Sequence, residues 1–75
     1  MSDPYYQYRV YARKVGVNVL LHEGYDTAVA HAAAKAATRN PTTIEVVMLV
    51  RALFEPGDFK FLESLPGAYD DEVAA

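Results

Sequence analysis

The chain has 75 residues, no cysteine and a formal net charge of −3 at pH 7. A chain of this length forms one domain and buries only about 60% of the surface that it exposes when unfolded. Without cysteine it can form no disulfide, thiol nucleophile or thiolate metal site, so oligomerisation is the natural source of added stability. The longest apolar run, residues 46–50, is too short to span a bilayer, and no targeting signal is recognisable. We therefore expect a cytoplasmic protein.

The net charge is a property of the C-terminal end. Residues 1–63 carry seven Lys/Arg and seven Asp/Glu, and the other three acidic residues are Asp70, Asp71 and Glu72. This end follows Pro66-Gly67 and is poor in apolar residues, as mobile termini usually are. The composition predicts a single α+β domain over residues 1–66 and an acidic, mobile tail over residues 67–75.

The first two predicted elements are strands joined by a tight turn. Residues 5–13 alternate in type as a half-buried strand does, and residues 17–22 form a second run rich in Val and Leu. Gly16 can adopt the positive φ that a tight connection needs, so the two runs predict a β-hairpin. The side chains expected on the inner face of the second strand are Val17, Val19 and Leu21.

An alanine-rich segment predicts a helix over residues 27–39. Asp26 or Thr27 can cap its start, and Asn40-Pro41 cannot readily continue it. At about 100° per residue, one side of the helix is apolar and is expected to be buried. Its residues are Val29, Ala30, Ala33, Ala36 and Ala37. Because this side consists mostly of methyl groups, it can approach closely a sheet that carries bulky side chains.

The longest β-type run, residues 42–54, is apolar on both faces. One face carries Ile44, Val46, Met48, Val50, Ala52 and Phe54. The other face carries Val47, Leu49 and Leu53 between polar positions. One short helix can cover only one face of a small sheet. The second face therefore needs another cover, which is the C-terminal segment, another copy of the chain or a different partner.

The segment after the third strand is ambiguous. Glu55-Pro56-Gly57-Asp58 predicts a type II turn. Beyond it, Phe59, Leu62 and Leu65 have helical spacing, whereas Phe59 and Phe61 alternate as in a strand. We favour a short helix or an irregular flap whose aromatic rings complete the core.

A right-handed crossover from the second strand through the helix makes the third strand parallel to the second. The first strand can then lie between them, in the order 2-1-3. The predicted fold is a small α+β domain, with one Ala-rich helix packed on one face of a three- or four-stranded sheet.

A resemblance is carried by Tyr25-Asp26-Thr27 through Thr38-Arg39-Asn40-Pro41, followed by Ile44-Glu45-Val46-Val47. This segment resembles small uncharacterised phage and prophage proteins that share a hairpin, an Ala-rich helix with an Arg-Asn-Pro-type stop and a following strand. Thr42 stands where a glycine often follows the proline in those proteins. The resemblance covers roughly half of the chain and carries no catalytic motif. It implies a phage or bacterial accessory protein that acts by binding, in the host cytoplasm if a phage encodes it.

The residues do not indicate an enzyme. His22, Glu23, Asp26 and His31 form the one cluster with acid–base or metal-ligand chemistry, but two histidines nine residues apart match no standard zinc spacing. His31 is expected on the solvent side of the helix. No phosphate-binding loop, nucleophile elbow or paired-carboxylate motif occurs. We expect no catalytic activity, no metal and no cofactor.

Two binding functions are consistent with the sequence. The favoured one is a protein-interaction module that self-associates, with a dimer favoured, and that can also bind a host or phage protein. It would use the second face of the sheet or an exposed strand edge. Its predicted interface is Tyr11, Val47, Leu49 and Leu53, with Arg9, Arg13 and Arg51 at the rim.

The alternative is a single-stranded nucleic-acid-binding protein that uses stacking and phosphate contacts along the first strand. Its residues are Tyr8, Arg9, Tyr11, Arg13 and Lys14. The neutral folded region and the acidic tail favour the protein interface over this alternative.

Overall fold

The computed structural model describes residues 5–55 and 57–70. The elements are β1 (Tyr6–Lys14), β2 (Val17–Gly24), α1 (Thr27–Ala37), β3 (Thr43–Ala52) and β4 (Lys60–Pro66). The strands form one antiparallel sheet in the order β2-β1-β3-β4, and α1 packs on one of its faces. The predicted α+β class and the position of β1 between β2 and β3 are confirmed.

The core is a thin layer between α1 and the middle of the sheet. Its fully buried apolar side chains are Val10, Ala12, Ala30, Ala34, Val46 and Met48. Tyr8, Ala37 and Leu65 pack around them. Because the helix contributes only methyl groups, it lies close to the larger Val and Met side chains of β1 and β3.

β4 corrects the expectation of a helix or flap after the turn. It pairs with β3, with Glu63 opposite Met48 and Leu65 opposite Val46. Pairing with the free edge of β3 outweighs the helical spacing of three side chains. The expectation that the aromatic rings complete the core is also wrong, because Phe61 is 64% exposed and Leu65 is the β4 residue that packs against the core.

Two described glycines in turns have positive φ angles. Gly16 has a φ of 78°, as the predicted hairpin requires, and Gly57 has a φ of 139°. Both values lie in the region that glycine adopts without steric cost. The predicted type II turn also includes Pro56, which lies outside the described residues.

α1 begins at the predicted cap and ends two residues earlier than predicted. Asp26 Oδ1 accepts hydrogen bonds from the amides of Ala28 at 2.9 Å and Val29 at 3.4 Å. The helix ends at Ala37, with Thr38 as its C-terminal cap.

The buried side of α1 differs from the predicted side. Ala34 is fully buried, whereas Val29 is 48% exposed and Ala36 is exposed. Neighbouring alanine methyl groups are nearly equivalent, so apolar spacing alone cannot set the rotation of the helix. His31 Nε2 lies 3.1 Å from Glu63 Oε1, so the His31 side of the helix faces β4. The Val29 side is left outside the core.

A β-bulge changes the inner face of β2. Leu20 lies opposite Tyr11 and His22 lies opposite Val10, so no residue of β1 lies opposite Leu21. Val17 and Val19 lie on the predicted inner side, opposite Lys14 and Ala12. Like Leu21 they are exposed, so the predicted inner row of β2 does not pack into the core. The extra residue places His22 on the side of the sheet that α1 covers.

The first residue of β3 is covered by the start of the predicted tail. The register of β1 against β3 shifts beside Thr43, whose side chain is only 1% exposed. The amide of Gly67 donates to the carbonyl of Ile44, and the amide of Tyr69 donates to the carbonyl of Thr43, both at 2.9 Å. These bonds attach residues 67–69 to β3. The bounds of domain and tail stay a prediction, because residues 71–75 lie outside the described part.

Candidate protein-interaction face

The face of the sheet opposite α1 is covered by no other helix or strand in residues 5–55 and 57–70. Opposite residues in paired strands lie on the same face, so the register defines this surface. We call it the open face. Its central residues are Gln7, Arg9, Tyr11 and Arg13 of β1, Asn18, Leu20 and Glu23 of β2, and Glu45, Val47, Leu49 and Arg51 of β3.

The middle of the open face is a shallow apolar depression. Tyr11 lies opposite Val47, and Leu49 is the next residue of β3 on the same face. With Arg13 and Asn18, these three side chains line a depression of about 330 Å³. Tyr11, Val47 and Leu49 are each half-buried, so a partner can remove more of their surface from water.

Two arginines of the open face already have acidic partners. Arg9 Nε hydrogen-bonds to Glu23 Oε2 across β1 and β2. Arg13 Nε lies 3.6 Å from Glu45 Oε1 across β1 and β3. The hydrogen bond to Glu23 is the main reason why the pKa of the Arg9 guanidinium is raised above its ordinary value. The rim of the depression thus carries both signs of charge.

Phe59 covers the other end of the open face. Arg9 Cζ lies 4.2 Å and Arg51 Cζ lies 5.1 Å from the centroid of its ring, which are cation–π distances. Arg51 Nη2 also donates to Gln7 Oε1 at 2.7 Å. These contacts hold the ring over the sheet. The uncovered apolar surface consists of the Tyr11 end and of Phe61, which lies opposite Leu49 and is 64% exposed.

The structure brings together most of the predicted interface. The residues on the open face are Tyr11, Val47, Leu49, Arg9, Arg13 and Arg51. Leu53 lies apart, because it follows the end of β3; its side chain is exposed and its amide donates to the Tyr5 carbonyl at 2.8 Å. Sequence reasoning missed Phe59 and Asn18. The strand-like alternation of Phe59 and Phe61 was the available signal for Phe59.

The predicted nucleic-acid-binding residues are divided between the two faces. Those on the open face are Arg9, Tyr11 and Arg13. Tyr8 packs against the core beneath α1. Lys14 Nζ donates to Thr42 Oγ1 at 2.7 Å. The open face of β1 therefore presents only three of the five predicted nucleic-acid-binding side chains.

The two histidines lie away from the open face. His31 Nδ1 is 2.9 Å from the Thr27 carbonyl and its Nε2 is 3.1 Å from Glu63, so both neighbours are acceptors. Both contacts are hydrogen bonds only when both ring nitrogens carry hydrogen. His22 Nε2 is buried and has no hydrogen-bond partner among the described residues. Within that same part of the chain, no group of three or more His, Asp or Glu is placed to share a metal ion.

The chain matches no protein-family model, no curated protein and no solved structure. Over residues 5–55 and 57–70, no helix has the length and apolar character needed to cross a membrane.

Proposed function

We propose that this protein is a non-enzymatic protein-interaction module that self-associates through the open face of its sheet. The observation that carries this proposal is the apolar centre of the face, where Tyr11, Val47 and Leu49 are adjacent and only half-buried. Burial of apolar surface is the main favourable contribution to protein association. Aromatic residues and arginine are also the side chains most enriched at interfaces.

The charges around this centre suit a second copy of the same chain. Arg9 and Arg13 alternate with Glu23 and Glu45 on one surface, so the rim has no strong excess of either sign. In a two-fold dimer each residue meets the partner surface reciprocally, and an arginine of one copy can approach a glutamate of the other. A host or phage protein with an apolar centre and a mixed-charge rim is a second kind of partner, in a bacterial cytoplasm.

Single-stranded nucleic acid is the alternative ligand. Its support is the row formed by Arg9, Tyr11 and Arg13, since stacking and phosphate contact need such groups on one face. The acidic partners of the two arginines reduce the positive potential that phosphates require. The protein interface is therefore the better-supported function.

Size-exclusion chromatography with light scattering at micromolar concentration tests self-association. Leu49→Lys places a charge in the middle of the open face. Leu62→Lys makes the same change on β4, where Leu62 lines a groove beside α1 on the other face. We expect a wild-type mass above that of one chain, a lower mass for Leu49→Lys and the wild-type mass for Leu62→Lys. A monomeric wild type with a cooperative melt overturns the proposal.

Fluorescence anisotropy of a labelled single-stranded oligonucleotide at low salt separates the two functions. Phosphate contacts are strongest at low salt, so the absence of binding there removes the nucleic-acid alternative. Leu49→Lys adds a positive charge to the open face. It is expected to weaken self-association, whereas binding to an oligonucleotide through this face would be retained or strengthened.

A further inference from the structure

A second apolar surface lies along the edge of the sheet that β2 forms. β2 pairs with β1 on one side only, and no other described strand pairs with its outer side. Between Val17 and Leu21 the strand carries no charged residue, and Asn18 is its one polar side chain. Val17 is 55% exposed and Leu20 is 49% exposed. Unpaired backbone groups beside exposed apolar side chains favour the addition of another strand.

The opposite edge of the sheet has a different character. β4 carries Lys60 and Glu63 and ends at Pro66, which has no amide hydrogen to donate. Charged residues and proline are the usual means by which edge strands avoid pairing with other chains. The two edges of this sheet therefore differ, and β2 is the one able to accept a partner strand.

α1 extends the apolar surface of the β2 edge. The contact between His31 and Glu63 places the His31 side of the helix next to β4. Val29 lies about 160° around the helix from His31, which places it on the side towards β2. Ala36 lies on the same side, and both residues are exposed. The sequence pattern predicted burial for both, yet the chain's own sheet does not bury them.

We propose that β2 pairs antiparallel with β2 of a second copy, which joins two sheets into one of eight strands. The two-fold axis is then perpendicular to the sheet, so both α1 helices lie on the same side and their Val29 flanks approach each other. Residues that lie opposite each other in the two β2 strands must lie on the same face of the joined sheet. Two registers of this pairing satisfy that condition, with either Val19 opposite Val19 or Asn18 opposite Asn18 of the second copy. The bulge at Leu21 ends the pairing.

The absence of charge is the reason to assign this edge to a second copy. Antiparallel pairing of β2 with itself sets no like charges against each other over residues 17–22, and it brings together two apolar helix flanks. A charged or polar strand from another protein would find no complementary group there.

Edge pairing uses the outer backbone of β2 and the Val29 flank, whereas open-face pairing uses side chains of the sheet, among them Asn18 and Leu20. The two-fold axis of open-face pairing runs parallel to the sheet, midway between the two stacked copies, and that of edge pairing is perpendicular to the sheet. Both can therefore occur together, and when the two axes intersect they produce a closed tetramer in which two extended sheets stack with the helices outside.

The mass of single and combined variants in solution tests the edge. Val19→Lys places a charge on the β2 edge, and Leu62→Lys is the matched change on the β4 edge. Val29→Lys charges the helix flank and leaves the β2 backbone unaltered, so it serves if Val19→Lys fails to fold. We expect a tetramer for the wild type and for Leu62→Lys. Val19→Lys, Val29→Lys and Leu49→Lys should each give dimers, and Val19→Lys with Leu49→Lys should give monomers.

The two proposals fail in different ways. A wild-type dimer that Leu49→Lys dissociates, but that Val19→Lys and Val29→Lys leave intact, overturns the edge and supports the open face. A wild-type dimer that Val19→Lys and Val29→Lys dissociate, but that Leu49→Lys leaves intact, supports the edge and overturns the open face. A monomeric wild type overturns both and leaves the edge to a strand of a different protein.

Discussion

Gly67 lies so close to the backbone of Thr43 that a residue with a Cβ atom does not fit in its place. A Cβ atom placed on Gly67 would stand 2.0 Å from the Thr43 carbonyl oxygen and 2.5 Å from its carbonyl carbon. The same approach allows the Gly67 amide to donate to Ile44 and buries the side chain of Thr43. The start of the predicted tail therefore belongs to the packing of β3.

Replacement of this glycine should destabilise the fold. Because the contact is with backbone atoms, Gly67→Ala must displace the segment after β4, at a cost of about 2 kcal/mol. Gly24→Ala is the matched control, since its Cβ would meet only the His22 ring, at 3.1 Å. Urea denaturation should show a much larger loss for Gly67→Ala. Equal losses would contradict the close packing at Thr43.

The rotation of α1 predicts opposite effects at two alanines of the same helix. Ala34 is fully buried against the sheet and Ala32 is exposed. Ala34→Leu overfills the thin core and should lower the free energy of unfolding by about 1–3 kcal/mol. Ala32→Leu should change it little. A greater loss for Ala32→Leu in thermal denaturation would show that the helix is turned differently.

The start of α1 depends on one carboxylate. Asp26→Ala removes the acceptor for two helix amides and should cost about 1 kcal/mol. Asp26→Asn should retain most of the stability, because its amide oxygen can accept the same bonds. Asp58→Ala, at an exposed position outside the helices and strands, is the control for the lost charge. Asp26 would not be the cap if Asp26→Ala and Asp58→Ala melted at the same temperature.

Two adjacent threonines should respond in opposite directions to replacement by valine. Thr43 Oγ1 is buried and has no hydrogen-bond partner among the described residues, so Thr43→Val should raise stability by about 1 kcal/mol. Thr42 Oγ1 accepts from Lys14 and donates to Asn40, so Thr42→Val should lower it slightly. Guanidinium unfolding of the pair distinguishes these effects. A loss at Thr43 would mean that its hydroxyl is hydrogen-bonded.

Much of the fold could be predicted because the relevant signals are local. Alternating side-chain types indicate β1, a glycine at position 16 indicates the hairpin turn, and Asp26 indicates the start of α1. The structure has Gly16 at positive φ and Asp26 as the cap. The crossover rule then placed β1 between β2 and β3.

The errors arose where long-range contacts decide the structure. The rotation of α1 buries Ala30 and Ala34 against the sheet and brings His31 beside Glu63, which lies on an element far away in sequence. The bulge at Leu21 shifts the register without a proline or glycine to mark it. β4 forms because β3 has a free edge with which it can pair. The spacing of Phe59 and its neighbours in the sequence does not reveal that edge.

The candidate site followed from the period of a strand. Tyr11, Val47 and Leu49 share a face because side chains alternate, so their adjacency required only the correct pairing of β1 with β3. The position of Phe59 over Arg9 and Arg51 required the path of the turn before β4, which side-chain periodicity does not determine.

The central claim is that the open face becomes buried when copies associate. The chain contains no cysteine, so Val47→Cys introduces a single thiol in the middle of that face, and Leu62→Cys introduces one on the other side of the sheet. The most direct measurement is the rate of thiol modification as protein concentration rises, with the mass recorded in parallel. We expect the Val47→Cys thiol to react more slowly as the mass increases, while the Leu62→Cys thiol reacts at a constant rate. A Val47→Cys thiol that reacts equally fast in the monomer and in the assembled protein would contradict the claim.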